Sequence, residues 1–170
     1  MTETRARVRS HVESNPGVHF NAVRRDLDIA TGQTQYHLRR LLDRGTLRSL
    51  EVRGRTHYFP TGYSGQEQAA IALLRRETTR EIVLLLLDRE TDRPAELADA
   101  ADVARSTVEW HLSNLLEYDL AEKIHDGRTV RVRLTRPELL GDMLVEVDPT
   151  MPDLLVDRFS RLVDSLLEQE

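Results

Sequence analysis

The sequence has no cysteine among its 170 residues. Disulfide scaffolds, thiolate zinc sites, iron–sulfur clusters and cysteine nucleophiles are therefore excluded. Long apolar runs are also missing: the longest are six residues, as at residues 82–87, whereas a membrane-spanning helix needs about 20. Residues 1–4 are polar and lack the apolar core of a signal peptide. From these absences we expect a soluble, cytoplasmic protein that does not cross a membrane.

Lysine is almost absent, because Lys123 stands alone beside 23 arginines. The chain is acidic, with 29 Asp and Glu against 24 Lys and Arg and a net charge of −5. This balance excludes a uniformly basic, histone-like coat for nucleic acid. An acidic excess with little lysine favours a halophilic source, since carboxylates keep a protein soluble in concentrated salt. A GC-rich genome would also replace lysine by arginine.

The charge is unevenly distributed along the chain. Residues 1–60 carry a balance of +5, whereas residues 61–170 carry −10. Such an asymmetry points to an electrostatic partner for the positive half. That half also holds four of the six histidines, but their spacing does not match known metal-ligand patterns. We therefore expect no metal and no cofactor, and we find no acid, base or nucleophile constellation that would indicate an enzyme.

The sequence repeats once, with an offset of 74 residues. Two motifs recur at this offset: Tyr36-His37-Leu38 with Trp110-His111-Leu112, and Asp28-Ile29-Ala30 with Asp102-Val103-Ala104. The pairs Gly54-Arg55 and Gly127-Arg128 also align if one residue is deleted from the second copy. Two copies of one unit predict two small domains of the same architecture.

Each copy predicts the same order of elements. A helix is followed by a short second helix, a tight turn, a third helix and two strands joined by a glycine–arginine turn. The expected bounds are 5–14, 21–27, 31–44, 47–53 and 56–59 in the first copy, and 79–88, 95–100, 105–118, 121–125 and 129–134 in the second. This order predicts a mainly α fold with small β-wings: two tandem winged helix-turn-helix domains.

The expected domains follow from the repeat. Residues 1–62 form the first winged helix-turn-helix, residues 63–77 a linker helix and residues 78–136 the second winged helix-turn-helix. Residues 137–170 form a C-terminal helical segment. Its apolar residues recur at helical spacing, and they are Leu155, Phe159, Leu162 and Leu166. This stripe either packs on the chain's own second domain or pairs two chains, and we favour a homodimer.

The third helix of the first copy is two-sided. Thr34, Leu38 and Leu41 form an apolar stripe. The opposite face carries small, amide and basic side chains, namely Gly32, Gln33, Tyr36, Arg39, Arg40 and Asp43. Glutamine can recognise adenine edges, and arginine can recognise guanine edges or phosphate. This face is therefore a candidate nucleic-acid surface.

The third-helix segments, residues 29–42 and 103–116, resemble the recognition helix of ArsR/MarR-type winged-helix regulators. They are most similar to the tandem winged-helix transcriptional regulators of haloarchaea, over about residues 5–135. The resemblance implies binding of double-stranded DNA, with the third helix in the major groove and the wing on the backbone. The DNA contacts that it implies are Thr31, Gln33, Gln35, Tyr36, Arg39, Arg40, Arg53 and Arg55.

The second copy departs from this pattern. Its possible DNA or interface surface comprises Arg105, Ser106, Thr107, Trp110 and Arg128. Glu109 and Glu117 add negative charge on or beside this surface, so we expect it to contribute less to DNA binding. Ala30 and Ala104 stand where the family often has a capping serine, and Thr31 is expected to cap the first helix instead. The cysteine pair that binds metal in many ArsR sensors is absent.

The sequence thus favours a sequence-specific transcriptional regulator whose first domain reads DNA. The acidic second domain can bind DNA weakly, pair with its twin or meet another protein. The alternative is a tandem winged-helix scaffold that works through protein contacts in a chromosome- or transcription-associated complex. The acidity of the chain favours the scaffold, whereas the face that carries Gln33, Tyr36 and Arg39 favours DNA.

Overall fold

A computed structural model describes residues 2–148 of the chain. It divides into two compact units, one up to Ala72 and one from Leu73 onward. None of the helices in the described part is long and apolar enough to cross a membrane. The stripe that favours a homodimer (Leu155, Phe159, Leu162 and Leu166) lies outside the described residues, so dimerisation stays a prediction.

The first unit follows the predicted order of elements. The bounds of most elements agree with the sequence prediction to within one or two residues. The elements are α1 (Glu3–Ser14), β1 (Val18–His19), α2 (Phe20–Leu27), α3 (Thr31–Asp43), β2 (Leu47–Val52) and β3 (Arg55–Pro60). They are followed by α4 (Gly65–Leu74), whose last two residues lie beyond the end of this unit.

The second unit repeats this order. Its elements are α5 (Glu77–Arg89), β4 (Thr91–Asp92), α6 (Pro94–Ala101), α7 (Arg105–Glu117), β5 (Ala121–Asp126), β6 (Thr129–Leu134) and α8 (Pro137–Val147). The segment from α2 to β3 and the segment from α6 to β6 have identical element bounds at the offset of 74 residues. Both units are winged helix-turn-helix folds, as predicted.

The sheet of each unit has three strands, and the prediction of a two-stranded ribbon was wrong. The strand orders are β1-β3-β2 and β4-β6-β5. β1 pairs antiparallel with β3 through Val18 and Tyr58, and β4 pairs with β6 through Thr91 and Arg133. β1 and β4 contain two residues each, which is too short to show the alternation by which a strand is recognised.

The two wings have the same length, so the deletion predicted in the second copy was wrong. Val52 pairs with Arg55, and Asp126 pairs with Thr129, which leaves a two-residue turn in each hairpin. The first turn has positive φ at both Arg53 (51°) and Gly54 (77°), whereas the second has its glycine, Gly127 (φ 62°), at the first position. The glycine changes place within the turn, and the chain length does not change.

A left-handed aspartate precedes each third helix. Asp28 ends α2 with φ 51° and ψ 53°, and Asp102 ends α6 with φ 54° and ψ 48°. The short polar side chain of aspartate tolerates this conformation better than most residues. α3 then begins at Thr31 after an extended Ala30, and no side chain caps it. The expectation that Thr31 caps this helix was wrong, because Thr31 is already in the first helical turn.

The predicted apolar stripe anchors the third helix. Thr34, Leu38 and Leu41 are at most 1 % exposed. Leu38 and Leu41 belong to a core cluster that includes Val8 and Val12 of α1. Burying each leucine contributes about 1.5–3 kcal/mol, so this stripe fixes which face of α3 points outward. The corresponding residues of α7 are buried in the same way, and they are Val108, Leu112 and Leu115.

Gly45, directly after α3, provides a test of this turn. Its φ is 68°, and a Cβ would meet only Nη1 of Arg48, at an ordinary 3.5 Å. Gly45→Ala should therefore destabilise the first unit by about 1–2 kcal/mol, through left-handed strain and not through crowding. Gly32→Ala is the matched control, because Gly32 is helical with open space around it. Amide hydrogen exchange of α3 in the full chain measures the stability of both variants. Equal exchange in Gly45→Ala and Gly32→Ala would contradict the assignment of left-handed strain to position 45.

Candidate nucleic-acid interface

A groove of about 550 Å³ runs along α3 in the first unit. It is bounded by the start of α2, the exposed side of α3 and the wing turn between β2 and β3. The residues that line it are His19, Phe20, Asn21, Thr31, Gln35, Leu38, Arg39, Leu42, Gly54, Arg55, Thr56 and Tyr58. Its lining contains two arginines and no acidic side chain.

All eight predicted DNA contacts of the first unit are exposed, but they do not share one surface. The structure brings Thr31, Gln35, Arg39 and Arg55 together in the groove. The others, Gln33, Tyr36, Arg40 and Arg53, do not line it. Two residues on a helix are separated by about 200° of rotation, so Gln33 and Gln35 point to different sides of α3.

The start of α2 contributes residues that the sequence analysis did not select. Asn21 lines the groove with an exposed amide side chain. His19 caps α2, because its Nδ1 accepts a hydrogen bond from the backbone N–H of Ala22 at 3.3 Å. The position of these residues at the start of α2 is the signal that could have revealed them, since the first helix of a helix-turn-helix crosses the DNA backbone.

The second unit has an equivalent groove, of about 610 Å³. Its lining residues are Arg93, Pro94, Ala95, Arg105, Glu109, Leu112, Ser113, Leu116, Lys123, Arg128 and Val130. At the offset of 74 residues, Glu109 replaces Gln35, Ser113 replaces Arg39 and Ala95 replaces Asn21. The groove therefore recurs in both units, but Asn21, Gln35 and Arg39 of the first have no equivalent of the same type in the second.

The lining of the second groove is more basic than the sequence analysis suggested. Four basic side chains surround one carboxylate, that of Glu109. Glu109 accepts from Nε of Arg105 at 3.2 Å, and Arg93 pairs with Glu96. Lys123 and Arg128 form no ion pair within residues 2–148. The free positive charge thus lies at the wing side of this groove.

One flank of α7 is covered, unlike the same flank of α3. Asn114 is fully buried and Thr107 is half-buried, whereas Arg40 and Gln33, their counterparts, are exposed. The other second-copy candidates, Arg105, Ser106, Trp110 and Arg128, are exposed. Trp110 is 41 % exposed, with the guanidinium carbon of Arg76 5.0 Å from its ring centroid.

The histidines of the third helices are buried, and a hydrogen bond from the ring to a polar group of the described chain is present for His111 but not for Nδ1 of His37. Nδ1 of His111 lies 2.9 Å from the hydroxyl oxygen of Thr79. Nδ1 of His37 is buried without a hydrogen-bond partner. Burial first, and the charge of Arg5 second, lower the pKa of His37, and burial followed by Arg76 lowers the pKa of His111. Within residues 2–148, no cluster of three His, Cys, Asp or Glu side chains could hold a metal ion.

The Thr79–His111 hydrogen bond leads to a stability prediction. Thr79→Val removes the hydroxyl at almost constant shape and leaves Nδ1 of His111 buried and unpaired, at a cost of about 1–3 kcal/mol. Thr79→Ser is the control, since it keeps the hydroxyl. Trp110 is the single tryptophan, and it lies 4.8 Å from the ring of His111, so its fluorescence follows unfolding of the second unit. Unchanged unfolding of Thr79→Val would show that the hydrogen bond contributes nothing.

Both units match known helix-turn-helix families. Residues 2–71 match a family model described as an N-terminal HTH domain, which carries a haloarchaeal name. Residues 76–123 match the model of the bacterial regulatory protein, arsR family. The chain is a tandem winged helix-turn-helix protein. Its second domain is similar to ArsR-family domains, which agrees with the resemblance seen in the sequence.

One of the solved structures that match the chain is the DIP2311 protein from Corynebacterium diphtheriae, with 16 % identity and a TM-score of 0.33. The match covers 78 % of this chain and 26 % of that chain, so this chain spans about a quarter of its length. None of the curated proteins matches the chain significantly.

Proposed function

We propose that the protein is a sequence-specific regulator of transcription, whose first unit reads the major groove of double-stranded DNA with α3. The observation that carries this proposal is the first groove. It places Gln35 and Arg39 one helical turn apart, opposite Arg55 of the wing, without an acidic side chain among them.

The geometry of α3 supports the proposal. Its 13 residues extend about 20 Å at 1.5 Å per residue, and the major groove, about 12 Å wide, admits a helix. Gln35 can form paired hydrogen bonds with adenine, and Arg39 can do so with guanine. Both side chains project from a helix whose rotation is fixed by the buried Leu38 and Leu41, and such rigid presentation is required for base recognition.

The wing has a different role in this proposal. Arg53 lies in the two-residue turn, and Arg55 begins β3. Arginines on the wing, and not on the reading helix, are suited to phosphate contacts, which fix the position of a protein on DNA without reading sequence.

The second unit contributes phosphate contacts and not base readout. Glu109 and Ser113 occupy the positions of Gln35 and Arg39, while Lys123 and Arg128 supply positive charge at the wing side. The rival function is a protein-interaction scaffold, which the charge of −10 over residues 61–170 favours. A basic lining in both grooves argues for DNA over the scaffold.

Arg39→Ala tests base readout. It should weaken binding to the tightest duplex selected from a randomised library by about 1–3 kcal/mol, with little effect on a scrambled duplex. Gln35→Ala should behave alike. Arg44→Ala is the control, because Arg44 is an exposed arginine on the same chain segment that does not line the groove. Equal losses for Arg39→Ala and Arg44→Ala would exclude readout by Arg39, and a chain that selects no duplex would favour the scaffold.

The phosphate contacts make a separate prediction. Arg55→Ala, and the double change Lys123→Gln with Arg128→Gln, should weaken binding to the selected and the scrambled duplex by the same factor. Each lost phosphate contact should reduce the slope of log affinity against log salt by about 0.9. Titrations at several salt concentrations measure this slope. A loss confined to the selected duplex would mean that these residues read sequence instead.

A further inference from the structure

A buried cation lies behind the exposed side of α3. Arg5 of α1 is only 5 % exposed, and among residues 2–148 its Nε has no hydrogen-bond partner. Its guanidinium carbon lies 5.8 Å from the ring centroid of Tyr36, within the range of a cation–π contact. Tyr36 itself is 54 % exposed on α3. The contact between Arg5 and Tyr36 therefore links a buried side chain of α1 to an exposed side chain of α3.

In the second unit, the position that corresponds to Arg5 carries a neutral side chain that has a hydrogen-bond partner. Thr79 is the counterpart of Arg5 at the offset of 74 residues, and its hydroxyl pairs with His111 at 2.9 Å. The cation over the exposed aromatic ring comes instead from Arg76, one helical turn earlier and only half-buried. The second unit thus combines a satisfied histidine with an arginine–aromatic contact.

The first unit has no counterpart of the Thr79–His111 hydrogen bond, because Arg5 stands where the second unit has threonine. With Arg5 in place of threonine, Nδ1 of His37 is left unpaired, and so is Nε of Arg5. A buried polar group without a partner is destabilising, and a buried charge more so. Arg5 makes no hydrogen bond through its side chain to offset this within residues 2–148. What it contacts is the ring of Tyr36.

We propose that Arg5 is a positioning residue for Tyr36, and that its guanidinium holds the ring in the orientation that α3 presents to DNA. The proposal deepens the function proposed for the first unit and rests on it. Tyr36 lies on the exposed arc of α3, one turn before Arg39, so a fixed ring limits how the helix can approach a base pair or a phosphate. Arg5 thereby contributes to DNA recognition through Tyr36 and not through a DNA contact of its own.

The substitution Arg5→Thr, which introduces the residue that the second unit has at Thr79, separates this role from a structural one. Hydrogen exchange of α1 and α3 in the full chain should slow or stay the same, because the introduced hydroxyl offers His37 a partner. Affinity for the selected duplex should fall by about threefold to tenfold, the range expected for a partly desolvated cation–π contact. Affinity for the scrambled duplex should stay the same. Arg5→Lys should restore part of the loss.

Repeating Arg5→Thr in variants of Tyr36 shows whether Arg5 acts through the ring of Tyr36. In Tyr36→Ala, adding Arg5→Thr should cause no further loss of affinity, whereas in Tyr36→Phe it should cause the full loss. The ring resonances of Tyr36, assigned by comparison with Tyr36→Phe, should shift in Arg5→Thr without DNA. This last measurement does not depend on DNA binding.

Three results would overturn the proposal. An equal loss in the Tyr36→Ala background would mean that Arg5 acts through its own charge. Faster exchange together with weaker binding to both duplexes would make Arg5 a structural residue. Unchanged ring resonances would remove the contact itself. If the unaltered chain binds no duplex but the resonances respond to Arg5→Thr, the proposed function fails while the positioning of Tyr36 by Arg5 stands.

Discussion

The one-sided burial of the third helix is the constraint on which the rest of each unit depends. In α3 the stripe of Thr34, Leu38 and Leu41 is almost completely buried, which fixes the rotation of the helix about its axis. Every other side chain of the helix then has a set direction: toward the wing, outward, or toward α1. The groove, the exposed ring of Tyr36 and its contact with Arg5 all follow from this one packing arrangement.

The two units show how chemistry can change while a backbone is kept. From α2 to β3 and from α6 to β6, every element begins and ends at the same offset. The grooves have corresponding linings, but Gln35 becomes Glu109 and Arg39 becomes Ser113. In the first groove a positive charge lies on the middle of α3, at Arg39, whereas in the second groove Lys123 and Arg128 place positive charge on the wing. The net acidity of the second half therefore conceals a basic groove, which whole-segment charge counts cannot reveal.

Much of the fold could be predicted from the sequence, because helix periodicity and glycine turns are local signals. The third helices and the buried stripe are confirmed. Two-residue strands such as β1 were missed, since they are defined only by pairing with a distant strand, here through Tyr58. The candidate site was predicted less well. A helical wheel identifies which residues of α3 are exposed, but which of them face the wing depends on where β2 and β3 pack. Arg5 gave no signal at all, because an arginine near the chain start is typical of solvated surface.

The two-residue wing turns have a consequence for how such a protein can evolve. The glycine stands at the second position of one turn, Gly54, and at the first position of the other, Gly127, yet the two hairpins have the same length. Residues 20–60 and 94–134 are in effect equal-sized cassettes. Exposed positions of either cassette can then change by single substitutions at constant chain length, whereas a change at Tyr36 or in the buried stripe also affects the packing on α1.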